Sequence, residues 1–222
     1  MRIATWNVER LKHRSELSAI LGRCKESGPD ILVLTETDTQ IHPAYKYCYQ
    51  TPPAKEVIPA LYKDTENRVA IYTDYELVRC HETYDEHTAI CAELKTEKGS
   101  LIVYGTIMGV FGNREKSYLP DLEKQMEDIK RLSALGAVCV TGDYNCSFSD
   151  NYYYTTEGRN IVTDAFHEAG IRILTEKQPE CIDHIAISEL FFAGADITVN
   201  EWNMDKSLSD HKGIVIEIET KR

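Results

Sequence analysis

Four apolar runs in this 222-residue chain each adjoin a short polar cluster. Residues 3–6 lead into Asn7, residues 31–34 into Thr35-Glu36, and residues 137–141 into Gly142-Asp143-Tyr144-Asn145, while Ser209-Asp210-His211 opens the way to a last run at 213–218. Short apolar runs rich in β-branched residues read as strands buried on both faces. A sheet built from them carries the polar clusters to its rim. There they supply carboxylates (Glu36, Asp143, Asp210), amides (Asn7, Asn145) and an imidazole (His211).

The segments between these runs suggest how the sheet is covered. Residues 14–25 place Leu17, Ile20, Leu21 and Cys24 at helical spacing, and Gly28-Pro29-Asp30 stops the helix. Strand, helix and strand follow in order, a unit that lays two strands in one sheet. Residues 37–63 are rich in Tyr and Pro and read as loop with short strands, a lip over the rim. Runs at 68–72, 76–80, 88–94 and 101–106, with a Lys98-Gly99 turn, predict an antiparallel meander. A helix is expected over 120–135 with Gly136 as its stop, and a shorter one over 163–169. Strands are expected at 182–187, 196–202 and 213–218. The order predicts an α/β fold of two packed sheets with helices outside, in a single domain over residues 1–222.

Composition narrows the function classes. With 25 basic and 36 acidic residues the net charge is −11, which argues against a broad basic face for duplex DNA. It does not exclude phosphate chemistry, because a bound divalent cation inverts the local field. No apolar run is long enough to span a bilayer and the first residues are polar, so a cytoplasmic protein is expected, a monomer by default. The seven cysteines form no CxxC pair and read as free thiols, mostly buried, rather than disulfides or zinc ligands.

Hydrolysis of a phosphoester needs a hard cation on oxygen ligands, a group that orients water, and donors for the phosphoryl oxygens. The polar clusters contain each part. Taken singly, Asn7, Glu36, the Gly142–Asn145 segment and Asp210 each read as ordinary turn or loop residues. Together with Thr5-Trp6 and Ile182-Asp183-His184-Ile185, they resemble the successive motifs of the endonuclease/exonuclease/phosphatase superfamily, the deoxyribonuclease I-like phosphoesterases. The resemblance spans residues 5–211 and implies a four-layer α/β/β/α sandwich of two mixed, largely antiparallel sheets. It also implies Mg²⁺, or Mn²⁺, held principally by Glu36, with Asn7 helping at the metal and fixing Glu36, and Asp210 a ligand directly or through water. Asp143 would orient or deprotonate the attacking water, and Asn145 would donate to the phosphate. His211 would contact the phosphate, with Asp183 fixing its tautomer.

One position departs from the pattern. Where many members carry Tyr or His, this chain has Thr106, a neutral donor to phosphate, with Tyr104 two residues back; Asn113 and Arg114 in the following loop are expected to reach the phosphate instead. His184 reads as a satisfied core histidine. The run Tyr152-Tyr153-Tyr154 reads equally as a stacking platform or a partly buried loop. The expected activity is metal-dependent hydrolysis of phosphodiester bonds by a nuclease-like enzyme acting on nucleic acid. A phosphatase or phosphodiesterase of a small phosphorylated metabolite or lipid headgroup stands second, and an inactive binding module third.

Overall fold

The computed structural model describes residues 1–220. Strands are numbered in chain order. One sheet runs β11 (Ala195–Trp202), β12 (Gly213–Thr220), β1 (Arg2–Asn7), β2 (Ile31–Asp38), β4 (Glu66–Thr73), β3 (Tyr47–Gln50). The other runs β5 (Glu76–His81), β6 (Ala89–Thr96), β7 (Gly99–Ile107), β8 (Val138–Asp143), β10 (Asp183–Ser188), β9 (Ile171–Ile173). The parallel pairs, β1 with β2 and β7 with β8, are those joined through a long helix. A parallel pair needs such a crossover, whereas antiparallel neighbours manage with turns. The two crossover helices are α1 (Leu17–Ser27) and α2 (Tyr118–Ser133).

Three apolar layers hold the sheets and helices together. Between the sheets, Ile3, Val33 and Ile71 meet Val103, Cys139 and Ile185. On the outer face of the first sheet, Ile20 and Cys24 of α1 cover Trp6, Leu32 and Leu34. On the outer face of the second, Leu122 and Ile129 of α2 and Phe166 of α3 (Thr156–Glu168) cover Tyr104 and Val140. Each large side chain removed from water in this way contributes roughly 1.5–3 kcal/mol. The result is an α/β sandwich of four layers, and both central strand pairs are buried on two faces, as their unbroken apolar runs require.

Several elements differ from the sequence expectation. The run at 68–72 is not part of the meander: β4 pairs with β2 and β3 in the first sheet, and only β5, β6 and β7 form consecutive hairpins. Alternation reports burial and not the partner strand, so it could not make this division. Helix α2 ends at Ser133 with Ala134 as its cap, short of Gly136. Helix α3 starts earlier than expected, at Thr156, because the Thr155 side chain accepts the Gly158 N–H at 3.0 Å. All seven cysteines are free, with Cys48 and Cys80 exposed and the rest buried. Among the described residues no helix is long and apolar enough to cross a membrane.

Candidate active site

Asn7 ends β1, Glu36 lies near the end of β2, Asp143 ends β8 and Asp183 begins β10. Parallel pairing puts the ends of β1 and β2 side by side, and the antiparallel register sets Asp183 directly opposite Asp143. Asn7 Nδ2 joins the two sheets, donating to Glu36 Oε1 at 3.2 Å and to Asp143 Oδ2 at 3.1 Å. Its Oδ1 accepts the Glu9 N–H, so the amide is held in one orientation. As placed, Asn7 holds Glu36 with its nitrogen and gives its oxygen to the Glu9 N–H.

Glycine is required at the neck of this arrangement. Gly142 has φ +139°, and a Cβ there would sit 2.0 Å from the Thr106 carbonyl oxygen. That turn lets Asp143 reach the rim while Tyr144 is buried among Phe148 and Phe166. Asp143 Oδ1 then accepts the Asn145 N–H at 2.8 Å. Asn145 donates both amide hydrogens, to the Met108 and Gly109 carbonyls. In this structure the Asn145 amide ties down the 108–109 turn, and the residue lines the recess beside His211.

The Ser209-Asp210-His211 segment is bound from three sides. Ser209 Oγ donates to the Asn7 carbonyl at 2.6 Å, Glu9 Oε2 accepts the Asp210 N–H, and Trp6 Nε1 donates to the His211 carbonyl. Asn203 Nδ2 donates to the carbonyls of both Ser209 and His211. Beneath lies Trp202, edge-on to Trp6 with ring centroids 5.7 Å apart, and so close to Gly213 that a Cβ there would fall 1.9 Å from the indole. These contacts fix the backbone that presents His211.

His211 Nδ1 pairs with Asp183 Oδ2 at 2.6 Å, leaving Nε2 toward Asp210, whose Oδ1 lies 3.7 Å away. Burial pulls the imidazole toward neutrality, but Asp183, Asp143 and Asp210 outweigh it and hold its pKa up at about 10. Asp143 moves upward too, to about 7, chiefly by burial and against the opposing pull of His211. Asp183 is buried with Oδ1 unpartnered, so its charge is answered through His211. The Asp210 carboxylate lies beside His211. Among the described residues, its carboxylate has His211 as its only ion-pair partner.

Two further expectations are corrected. Thr106 is fully buried and donates to Gln125 Oε1 of α2 at 2.6 Å, on the face of β7 turned to the helix layer. It offers nothing to a substrate. Asn113, also buried, donates to the Asn145 carbonyl at 2.7 Å, so it supports Asn145. His184 behaves as the sequence suggests. It is buried between Thr175 and the carbonyls of Cys146 and Cys181, and burial lowers its pKa to about 4.

Two recesses flank the centre. The larger, about 570 Å³, lies on the His211 side and includes Asn145, Tyr152, Tyr153, Lys206 and Lys212. Tyr152 is half exposed, and the Lys206 ammonium bonds its hydroxyl at 2.8 Å while lying over its ring. The smaller, about 140 Å³, lies on the Glu36 side against Arg10, Tyr62 and Arg68. Sequence reading missed Glu9, Arg10, Arg68, Lys206 and Lys212, because none stands in a motif. Backbone strain marks several of them. Among the described residues, most non-glycine residues with positive φ line these recesses or brace their walls: Arg10, Glu36, Asn145, Glu180 and Lys206 line them, and Glu9 and Asn203 hold the Ser209–His211 segment. Such conformations cost about 1–3 kcal/mol each and cluster at functional sites.

The donor set fits a hard divalent cation better than zinc. Among the described residues no three His, Cys, Asp or Glu side chains converge to hold an ion alone. Mg²⁺ needs only one or two carboxylates and completes its shell with water and substrate oxygens. Glu36 meets that need, since its partly exposed carboxylate is held by Asn7 and only loosely by Arg10, at 3.6 Å.

A model of the endonuclease/exonuclease/phosphatase family matches residues 4–211. The chain belongs to that family. Solved structures agree on the fold. A 3′-5′ exonuclease from Neisseria meningitidis is 20% identical with a TM-score of 0.71, the match covering 99% of this chain and 100% of that one. An AP endonuclease from Archaeoglobus fulgidus is 15% identical with a TM-score of 0.67, over 98% and 99% of the two chains. An endonuclease/exonuclease/phosphatase from Beutenbergia cavernae is 13% identical with a TM-score of 0.70, over 99% of this chain and 71% of that one. Among curated protein sequences none matches. Family membership makes this a phosphoesterase-like fold of the nuclease and phosphatase type.

Proposed function

We propose that this chain is a divalent-metal-dependent phosphoesterase that hydrolyses phosphodiester bonds in nucleic acid. The observation that carries the reading is the convergence, at one rim, of the His211–Asp183 pair with the Glu36–Asn7–Asp143 group. Environment separates the roles. Two titratable groups whose pKa values are driven apart serve as donor and acceptor. His211, held near 10, keeps its proton at neutral pH and donates from Nε2 to a phosphoryl oxygen. Asp143, raised to about 7, accepts the proton of the attacking water. Asp183 holds the imidazole in place and balances its charge. Glu36 would hold Mg²⁺ or Mn²⁺, which supplies neutralisation of the charge building on the phosphate and the leaving oxygen.

Support for a nucleic-acid substrate comes from the larger recess. An exposed Tyr152 with Lys206 beside it offers a surface for stacking and for backbone phosphates, while Lys212 is committed to Glu201. Solved relatives point the same way, among them a Neisseria 3′ phosphatase bound to product DNA hairpin, 19% identical with a TM-score of 0.72. The net charge of −11 favours a second reading, hydrolysis of a small phosphoester. Assay of the purified protein with Mg²⁺ against single- and double-stranded DNA, abasic DNA and small phosphoesters tests both. Cleavage of nucleic acid that ends when Mg²⁺ is chelated is expected. Turnover of small esters alone would replace the first reading with the second.

A further inference from the structure

The recess on the Glu36 side sets two guanidinium groups, Arg10 and Arg68, against the single carboxylate of Glu36. Arg68 faces Glu36 across the β2–β4 ladder, between the pairs Thr35 with Val69 and Thr37 with Asn67. The residue is only 5% exposed, and among the described residues its guanidinium donates one hydrogen bond, from Nη1 to Thr88 Oγ1 at 3.0 Å. Its Nε has no partner, and among the described residues no carboxylate lies within 4 Å of it. A buried guanidinium normally meets a carboxylate or a phosphate. Arg10 enters the same recess from the other side. Both guanidinium groups approach the Tyr62 ring, at 5.4 and 5.7 Å from its centroid.

The backbone is bent to deliver Arg10. Glu9, Arg10 and Leu11 stand in succession at φ +51°, +54° and +53°, with no glycine among them. Three strained residues in a row bring one guanidinium beside Glu36, in a chain whose surplus of charge is negative. The recess is small, about 140 Å³, with room for a tetrahedral anion. Asn67, lining the same recess, leaves its buried Oδ1 without a partner, an acceptor for a hydroxyl of the bound group.

We propose that Arg68 and Arg10 form a seat for a second phosphate of the substrate, a terminal phosphomonoester next to the phosphodiester that is attacked. This rests on the phosphoesterase reading and adds a preference for phosphorylated ends. Planar guanidinium groups bind such a dianion through paired N–H donors, and Tyr62 keeps both in position.

The test separates binding from turnover. Three thymidine dinucleotides with an uncleavable methylphosphonate linkage, one unphosphorylated, one 5′-phosphorylated and one 3′-phosphorylated, are titrated into the full chain with Mg²⁺ by calorimetry. One phosphorylated form is expected to bind at least tenfold more tightly than the unphosphorylated form. That ratio should fall toward one in Arg68→Gln and at least threefold in Arg10→Gln. Should Arg68→Gln fail to fold, Arg10→Gln, with its partly exposed side chain, decides the matter. Equal affinity for all three ligands, or a ratio unchanged in the variants, overturns the seat. Cleavage of the natural-linkage dinucleotides is measured in parallel. Turnover without preference sinks the seat alone, and preference without turnover sinks the hydrolase reading alone.

Discussion

The two flanks of the candidate centre are built on opposite plans. On the His211 side almost every donor and acceptor is committed: Ser209, Asp210 and His211 are held by Asn7, Glu9, Trp6 and Asn203, and Nδ1 of His211 is held by Asp183. On the Glu36 side, a carboxylate paired loosely with Arg10 lies opposite Arg68, whose Nε has no partner. A finished network orients groups before substrate arrives, and unmet charge waits for ions that come with it. The first flank is therefore expected to govern the rate, and the second to govern what binds.

The sharpest way to break this contrast is to remove one group from each flank. His211→Ala and Glu36→Ala should each lower turnover at least about a hundredfold, the scale of positioned catalytic groups. They should differ in metal dependence: only Glu36→Ala should raise the Mg²⁺ concentration needed for half-maximal rate. Equal metal titrations in both variants would erase the division of labour.

Acid should test the finished flank through its foundation. His184, buried neutral behind the β8–β10 ladder, has its pKa lowered to about 4 by burial. The unfolded chain takes up the proton near the reference value of about 6.5 and the folded chain does not, so stability is full above that pH and falls as pH drops toward 4. The loss should reach about 3 kcal/mol at most, from the 1.36 kcal/mol per pKa unit of the linkage relation. Urea unfolding of wild type and His184→Gln between pH 7 and 4 measures it, and the variant should lose less.

Smaller effects concern residues at the margin. Thr106→Val leaves Gln125 Oε1 without its buried donor and should cost about 1–2 kcal/mol in thermal unfolding. Turnover of that variant should stay within about threefold, because the hydroxyl faces α2; a larger drop would return Thr106 to the site. Arg10→Gly removes one left-handed non-glycine residue and should stabilise the fold by up to about 1 kcal/mol, while weakening the grip on a phosphorylated end.

How much of this could be read beforehand differs from residue to residue. Glu36, Asp143, Asp183 and His211 were legible because each sits at the tip of an apolar run, where strand geometry limits the directions a side chain can take. Thr106 was misjudged for the same reason: a strand end presents two faces, and only packing against Gln125 shows which one it occupies. Asn145 was found as a site residue, but the direction of its amide was not legible. Two carbonyls far away in sequence claim both hydrogens. Arg10 and Arg68 carried no signal, since a lone arginine beside a strand is most often a solvated surface residue.

Local pattern by itself determined the strands, the helix stripe of α1, the polar tips and the family they resemble, because periodicity and turn chemistry act over a few residues. The division of strands between two sheets, the pairing of β4 with β2, the orientation of each amide and the meeting of Arg10 with Arg68 were decided by the tertiary structure. Those depend on contacts between segments far apart in the chain, where burial and hydrogen-bond satisfaction of the whole select one arrangement from many that the local sequence allows.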